Sequence, residues 1–147
     1  MHNILKLYNK INKFGQDHDM KFEVSEPGKV IYRMKVQERH MATPVAIHGG
    51  MIAGMMDSVL GVAALSVSCE RGRLVSTVEF KLNFLHPAHL GDELVGEGTV
   101  EEEGNRIIIT SGVISAVKRD TVIAKGMGTF NSYPFEKSGI EEKLKKG

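Results

Sequence analysis

The chain has 147 residues, enough for one domain with a real core. Lys and Arg total 19 against 18 Asp and Glu, so no global field favours nucleic acid or an acidic surface. The single Cys69 excludes an internal disulfide framework and a Cys-rich zinc site. It fits a reducing compartment, and a cytoplasmic protein without a bound metal is the expectation.

The first element, MHNILKLYNKINKFG, spaces its apolar residues as a helix does and intersperses lysines. With no small-residue cleavage site it reads as an amphipathic surface helix over about residues 3–15, stopped at Gly15, not as a signal peptide. Period two follows. Phe22 and Val24 alternate with Lys21 and Glu23, the turn Glu26-Pro27-Gly28-Lys29 intervenes, and Val30, Tyr32, Met34 and Val36 alternate with charged or polar residues. This pattern is a hairpin. A loop with Pro44 then leads to His48-Gly49-Gly50 and a long apolar helix over about 50–66, closed by Glu70-Arg71-Gly72-Arg73.

Strands are expected after that helix. Val78, Phe80, Leu82 and Phe84 alternate with Thr77, Glu79, Lys81 and Asn83, and Pro87 closes the run. Further strands are expected over about 92–102, 106–117 and 121–130, and the lysine-rich tail 131–147 reads as frayed helix or disorder. The whole is expected to be a single domain with its core at about 20–130. Gly96, Gly98, Gly112, Gly126 and Gly128 interrupt the later strands, which signals bends or close backbone approach and suggests a strongly curved sheet. One long helix with antiparallel strands gives an α+β architecture, the helix lying against one face of the sheet.

Asp57 is the one Asp, Glu, Lys or Arg between Arg39 and Glu70. Met55, Met56, Val59, Leu60 and others surround it, and a helix apolar all round is a buried one. A carboxylate there is costly without a partner or a purpose, which makes it the first place to look for chemistry. The plainer alternative is a single solvent-facing Asp. The run is long enough to raise a membrane span, but a charge at mid-span is expensive in lipid, so a buried helix with no membrane role is expected.

HGGMIAGMMDS, followed by TVEFKLNFLHPAHLGDEL and later KGMGTF, resembles the hotdog-fold acyl-CoA thioesterases of the PaaI-like (4-hydroxybenzoyl-CoA thioesterase) type. The resemblance covers about residues 20–130. It implies one long helix wrapped by a five- or six-stranded antiparallel sheet. It also implies that Asp57 is the catalytic general base or nucleophile and that the Gly49 backbone N–H is an oxyanion donor. His48 ends the preceding loop, and Thr77 matches the hydroxyl residue that places the attacking water. Coenzyme A enters as part of the substrate, not as a cofactor, with Phe84, His86 and His89 as expected contacts. Its phosphates could also meet Arg71, Arg73, Lys81, Lys118 or Lys125, and spacing singles out none. An Asn common six residues before the HGG histidine is Ala42 here, and a common Gly is Val45. The oxyanion site is therefore expected to lack a side-chain donor or to borrow one from Thr43 or His40.

The helix start supports these roles independently, because it offers unpaired N–H groups and partial positive charge to a developing oxyanion. Each residue also has an ordinary structural explanation: a tight helix entry for Gly49-Gly50, strand propensity for Thr77, a non-titrating ring for His48 and core filling for the methionines. Two other functions fit less well. A hotdog acyl-thioester dehydratase or hydratase would need a His and a carboxylate on one carbon. A non-catalytic acyl-CoA sensor would need a DNA-binding unit for which the first 20 or so residues are too short. Gly49 stands eight residues before Asp57, or roughly 12 Å along a helix axis. One thioester cannot reach both in the same chain, so a homodimer with composite sites is expected, and the resemblance extends this to a homotetramer made from two dimers.

Overall fold

The computed structural model describes residues 1–147. Its first segment is two helices, α1 (Asn3–Ile11) and α2 (Lys13–Asp17). Asn12 divides them: its side chain accepts the Gly15 N–H at 3.1 Å and caps α2. Gly15 is therefore buried inside α2 and is not the expected stop; the turn instead ends at Asp19, whose φ is 53°.

The hairpin forms as β1 (Lys21–Glu26) and β2 (Lys29–Lys35), turning on Gly28 at φ 93°. A short two-stranded ribbon, β3 (Met41–Thr43) and β4 (Ala46–Ile47), precedes α3 (Gly49–Ser68). Four strands follow: β5 (Arg73–Phe84), β6 (Glu93–Glu103), β7 (Ile107–Ala116) and β8 (Thr121–Pro134). β8 runs four residues past its expected end at 130, and the tail is ordered as a 3-10 turn and α4 (Ile140–Lys146). Ser132 anchors that extension. It bonds Ser68 at 2.7 Å and accepts from Arg73 Nε at 2.8 Å.

The six strands form one antiparallel sheet in the order β1-β2-β6-β7-β8-β5, curved around α3 as in the hotdog fold. Met55, Met56, Val59 and Leu60 of α3 are fully buried against Tyr32, Leu94, Ile108, Ile114 and Phe130 of the sheet. Each such side chain stabilises the fold by about 1.5–3 kcal/mol. The strand glycines mark the seat of this helix. Gly98 pairs with Gly112 and Gly112 with Gly126, a row crossing three strands. A Cβ on Gly98 would meet the Val59 carbonyl oxygen at 2.7 Å, and one on Gly112 would meet Met56 Sδ at 2.9 Å. Close approach of the helix, more than bending, explains them.

Strand β5 departs from the expected alternation. Thr77 pairs with Phe130 while Glu79 pairs with Thr129, so Val78 is an extra residue in the ladder. Simple alternation puts Val78 inside with Phe80 and Leu82. The bulge leaves Val78 58% exposed and turns Thr77 toward α3.

Candidate active site

On α3 the fully buried face looks at the sheet, while Gly54, Asp57, Ser58 and Gly61 form a half-buried stripe on another side. Asp57 is thus not surrounded by core as its sequence neighbours imply. The bulge brings Thr77 over it, and Thr77 Oγ1 donates to Asp57 Oδ1 at 2.8 Å. This fixes the carboxylate's orientation and leaves its second oxygen free.

The start of α3 is built by His48. Its Nδ1 accepts the Gly50 N–H at 2.8 Å, and its carbonyl accepts the Met51 N–H at 2.9 Å. The N–H of Gly49, the first of the helix and on an exposed residue, is left without a partner. His48 is itself held by its backbone N–H, which donates to the His40 carbonyl at 2.9 Å.

His40 is fully buried and not a spare donor for substrate, contrary to one expectation. Its Nδ1 accepts the Gln37 N–H at 3.0 Å, so its proton sits on Nε2 and is donated to His18 Nδ1 at 3.1 Å. Burial, then the neighbouring His18 and Arg39, push its pKa below the ordinary imidazole value. Thr43 Oγ1 accepts the Val45 N–H at 3.3 Å, and Ala42 is exposed.

The two halves of the site occupy different cavities with no residue in common. One, of about 240 Å³, contains Asp57 and Thr77 beneath α1. The other, of about 280 Å³, contains Gly49 together with Phe84 and His86. The Phe84 ring lies 3.6 Å from where a Gly49 Cβ would be, and His86 Nδ1 donates to the Val122 carbonyl at 2.9 Å. His89 lies outside that cavity, in a loop tied by Asp92. The Asp92 carboxylate accepts the His89 N–H at 2.7 Å and both Nε and Nη2 of Arg119. Hydrogen bonding to Arg119 holds the Asp92 carboxyl below the usual range. Among the basic candidates, Arg73 is committed to Ser132, whereas Lys81 and Lys125 line a shallow pocket on the outer face of the sheet. No cluster of three or more His, Cys, Asp or Glu forms a metal cradle.

Sequence reasoning missed Tyr8. It lines the Asp57 cavity, and burial pushes its phenol pKa up, with the Asp57 carboxylate adding to the effect. Its only sequence signal is a place on the apolar side of α1.

The long helix wrapped by a six-stranded antiparallel sheet defines a hotdog-fold protein. The profile of the thioesterase superfamily matches residues 46–123. The chain is 33% identical over 103 residues to acyl-coenzyme A thioesterase 13 of Homo sapiens, covering 70% of this chain and 72% of that one. Among solved structures, the PaaI protein of the E. coli phenylacetic acid degradation operon superimposes with a TM-score of 0.79 at 18% identity, over 89% of this chain and 91% of that one. A hypothetical thioesterase of Streptococcus pneumoniae, solved with coenzyme A, gives 0.77 at 18% identity, over 86% and 97%. The chain belongs to the thioesterase superfamily and is a thioester hydrolase with the hotdog fold.

Proposed function

We propose that this protein hydrolyses acyl-CoA thioesters at composite sites, each using Asp57 and Thr77 of one protomer and Gly49 of its partner. The observation that carries the reading is the separation of the two halves into distinct cavities of one chain. An antiparallel second copy of α3 joins them, and β5, at the edge of the sheet with its outer edge unpaired, offers a strand for that contact. The names of the relatives, acyl-coenzyme A thioesterase and a thioesterase solved with coenzyme A, support CoA as the leaving group.

Asp57 acts as general base in this reading. The Thr77 hydroxyl donates a hydrogen bond to Asp57 Oδ1 and keeps its lone pairs to accept one from the water that Asp57 Oδ2 deprotonates. The hydroxide attacks the thioester carbonyl, and the partner's Gly49 N–H binds the oxyanion. Collapse breaks the C–S bond, and the thiolate of CoA takes up the proton from Asp57. Phe84 and His86, beside Gly49, are placed for the CoA side of the substrate. His48 serves in this reading as the cap of α3, its Nδ1 accepting the Gly50 N–H. The site of action in this reading is the cytoplasm, which the lone buried Cys69 fits.

Thiol release from a panel of acyl-CoAs tests the activity. Asp57→Asn should keep the fold and lower kcat at least ~10²-fold. Turnover within a few-fold of wild type removes Asp57 from the mechanism. Single turnover in ¹⁸O-water separates base from nucleophile, because label in the Asp57 side chain after turnover requires a covalent intermediate.

A further inference from the structure

The cavity that holds Asp57 and Thr77 draws its walls from two kinds of sequence. The catalytic pair lies within residues 46–123, the segment matched by the superfamily. The wall opposite comes from the two ends of the chain, outside that segment: Leu7 and Ile11 of α1, with Phe135 and Ile140 from the turn and helix after β8. Ile4, Leu7 and Ile11 recur at helical spacing, so α1 presents one apolar face to the cavity and leaves Lys6 and Lys10 exposed.

The lining is polar only at the Asp57, Ser58 and Thr77 wall and at the hydroxyls of Tyr8 and Tyr133. No Lys, Arg or His lines it, so an acyl group carrying its own carboxylate would be buried there unpaired. The size is also informative. An engineered apolar cavity of ~150 Å³ accommodates benzene, with its six carbons. Scaled to about 240 Å³, the same density corresponds to about eight to ten carbons.

Resting on the thioesterase reading, we propose that the chain ends form the acyl pocket of this enzyme, and that Leu7 of α1 sets the length of an uncharged hydrocarbon acyl chain of about eight to ten carbons. The thioester sits at Asp57 and Thr77, and the acyl tail runs between α1 and α3. The family segment supplies the chemistry, and the termini select the substrate.

The experiment compares kcat/KM for acetyl-, hexanoyl-, octanoyl-, palmitoyl- and succinyl-CoA. Octanoyl-CoA is expected to exceed both acetyl- and succinyl-CoA at least ~tenfold. Leu7→Trp, which fills the cavity, should lower the octanoyl-to-acetyl ratio at least ~tenfold. Leu7→Ala, which enlarges it and keeps the fold if the tryptophan does not, should move the optimum to longer chains. Lys6→Ala, on the exposed face of α1, should leave the profile as in wild type. A wild type inert toward every acyl-CoA overturns the thioesterase reading itself. An active wild type that prefers succinyl-CoA, or whose length profile survives both Leu7 substitutions, overturns the acyl-pocket proposal alone.

Discussion

Two inactive chains should rebuild a working enzyme when they are paired. In the proposed mechanism Asp57→Asn removes the base, and Gly49→Val places a side chain where the thioester carbonyl approaches the helix start. A Cβ on Gly49 lies in ordinary contact with Phe84 at 3.6 Å, and the residue is exposed, so the substitution leaves the core alone. Eight residues of helix separate the two positions by ~12 Å, whereas an oxyanion contact needs about 3 Å, so neither chain can complete a site by itself. Each homodimer of a variant then has both sites broken, with residual turnover of about 1% or less. A heterodimer has one site with both defects and one with none. Isolated by two different affinity tags and assayed by thiol release, it should regain about half the wild-type turnover per dimer, and an unfractionated random mixture about a quarter. Folded, verified heterodimers that stay at the background of their parents would refute the composite site. So would a dilute monomer with full activity.

Thr77→Val should lower kcat about 10- to 100-fold, as expected for loss of one hydrogen bond to a charged group, and Thr77→Ser should restore most of it in steady-state assays. His48→Ala removes the α3 cap and should cost about 1 kcal/mol in denaturant titration, with a much smaller loss of kcat than Asp57→Asn; equal losses would give the imidazole a proton-transfer role. His40 has a depressed pKa in the fold, so below the free value of 6.5 the unfolded chain takes up a proton that the folded chain refuses. The His40 contribution to stability should be flat above that pH, fall as pH drops from 6.5 towards the folded value and level off below it, and His40→Gln should flatten the slope in thermal melts at several pH values. Gly98→Ala places a Cβ 2.7 Å from the Val59 carbonyl and should cost about 1–3 kcal/mol, read as a fall in Tm of about 3–10 °C.

The long helix, the hairpin and the later strands along the chain were legible because each rests on a periodicity that burial enforces. Asp57 was legible because a charge in an apolar run is conspicuous, and Gly49 because HGG opens a helix. What escaped depends on contacts distant in sequence. The bulge at Val78 has no local signature, since Thr77-Val78-Glu79 alternates well; only the pairing with Phe130 and Thr129 reveals the extra residue. Gly15 resembles a helix stop, yet Asn12 caps a second turn across it. The end of β8 looks like a polar tail until Ser132 meets Ser68 and Arg73 from across the fold. His40 could be taken for a substrate contact because nothing in its neighbourhood along the chain foretells His18 as its ring partner.

The glycine row beneath α3 bears on how such a site survives change in its surroundings. Most buried helices are positioned by side chains, so their height above a sheet drifts as core residues are exchanged. At Gly98 the strand instead meets the main chain of Val59, two residues from Asp57. The spacer between helix and sheet is there the polypeptide backbone itself, whose dimensions no substitution alters. Exchange of core side chains elsewhere leaves this one contact unchanged, whereas any side chain at Gly98 must push the helix backbone at Val59 away from the sheet. Geometric accuracy at Asp57 is tied to a position that carries no side chain at all.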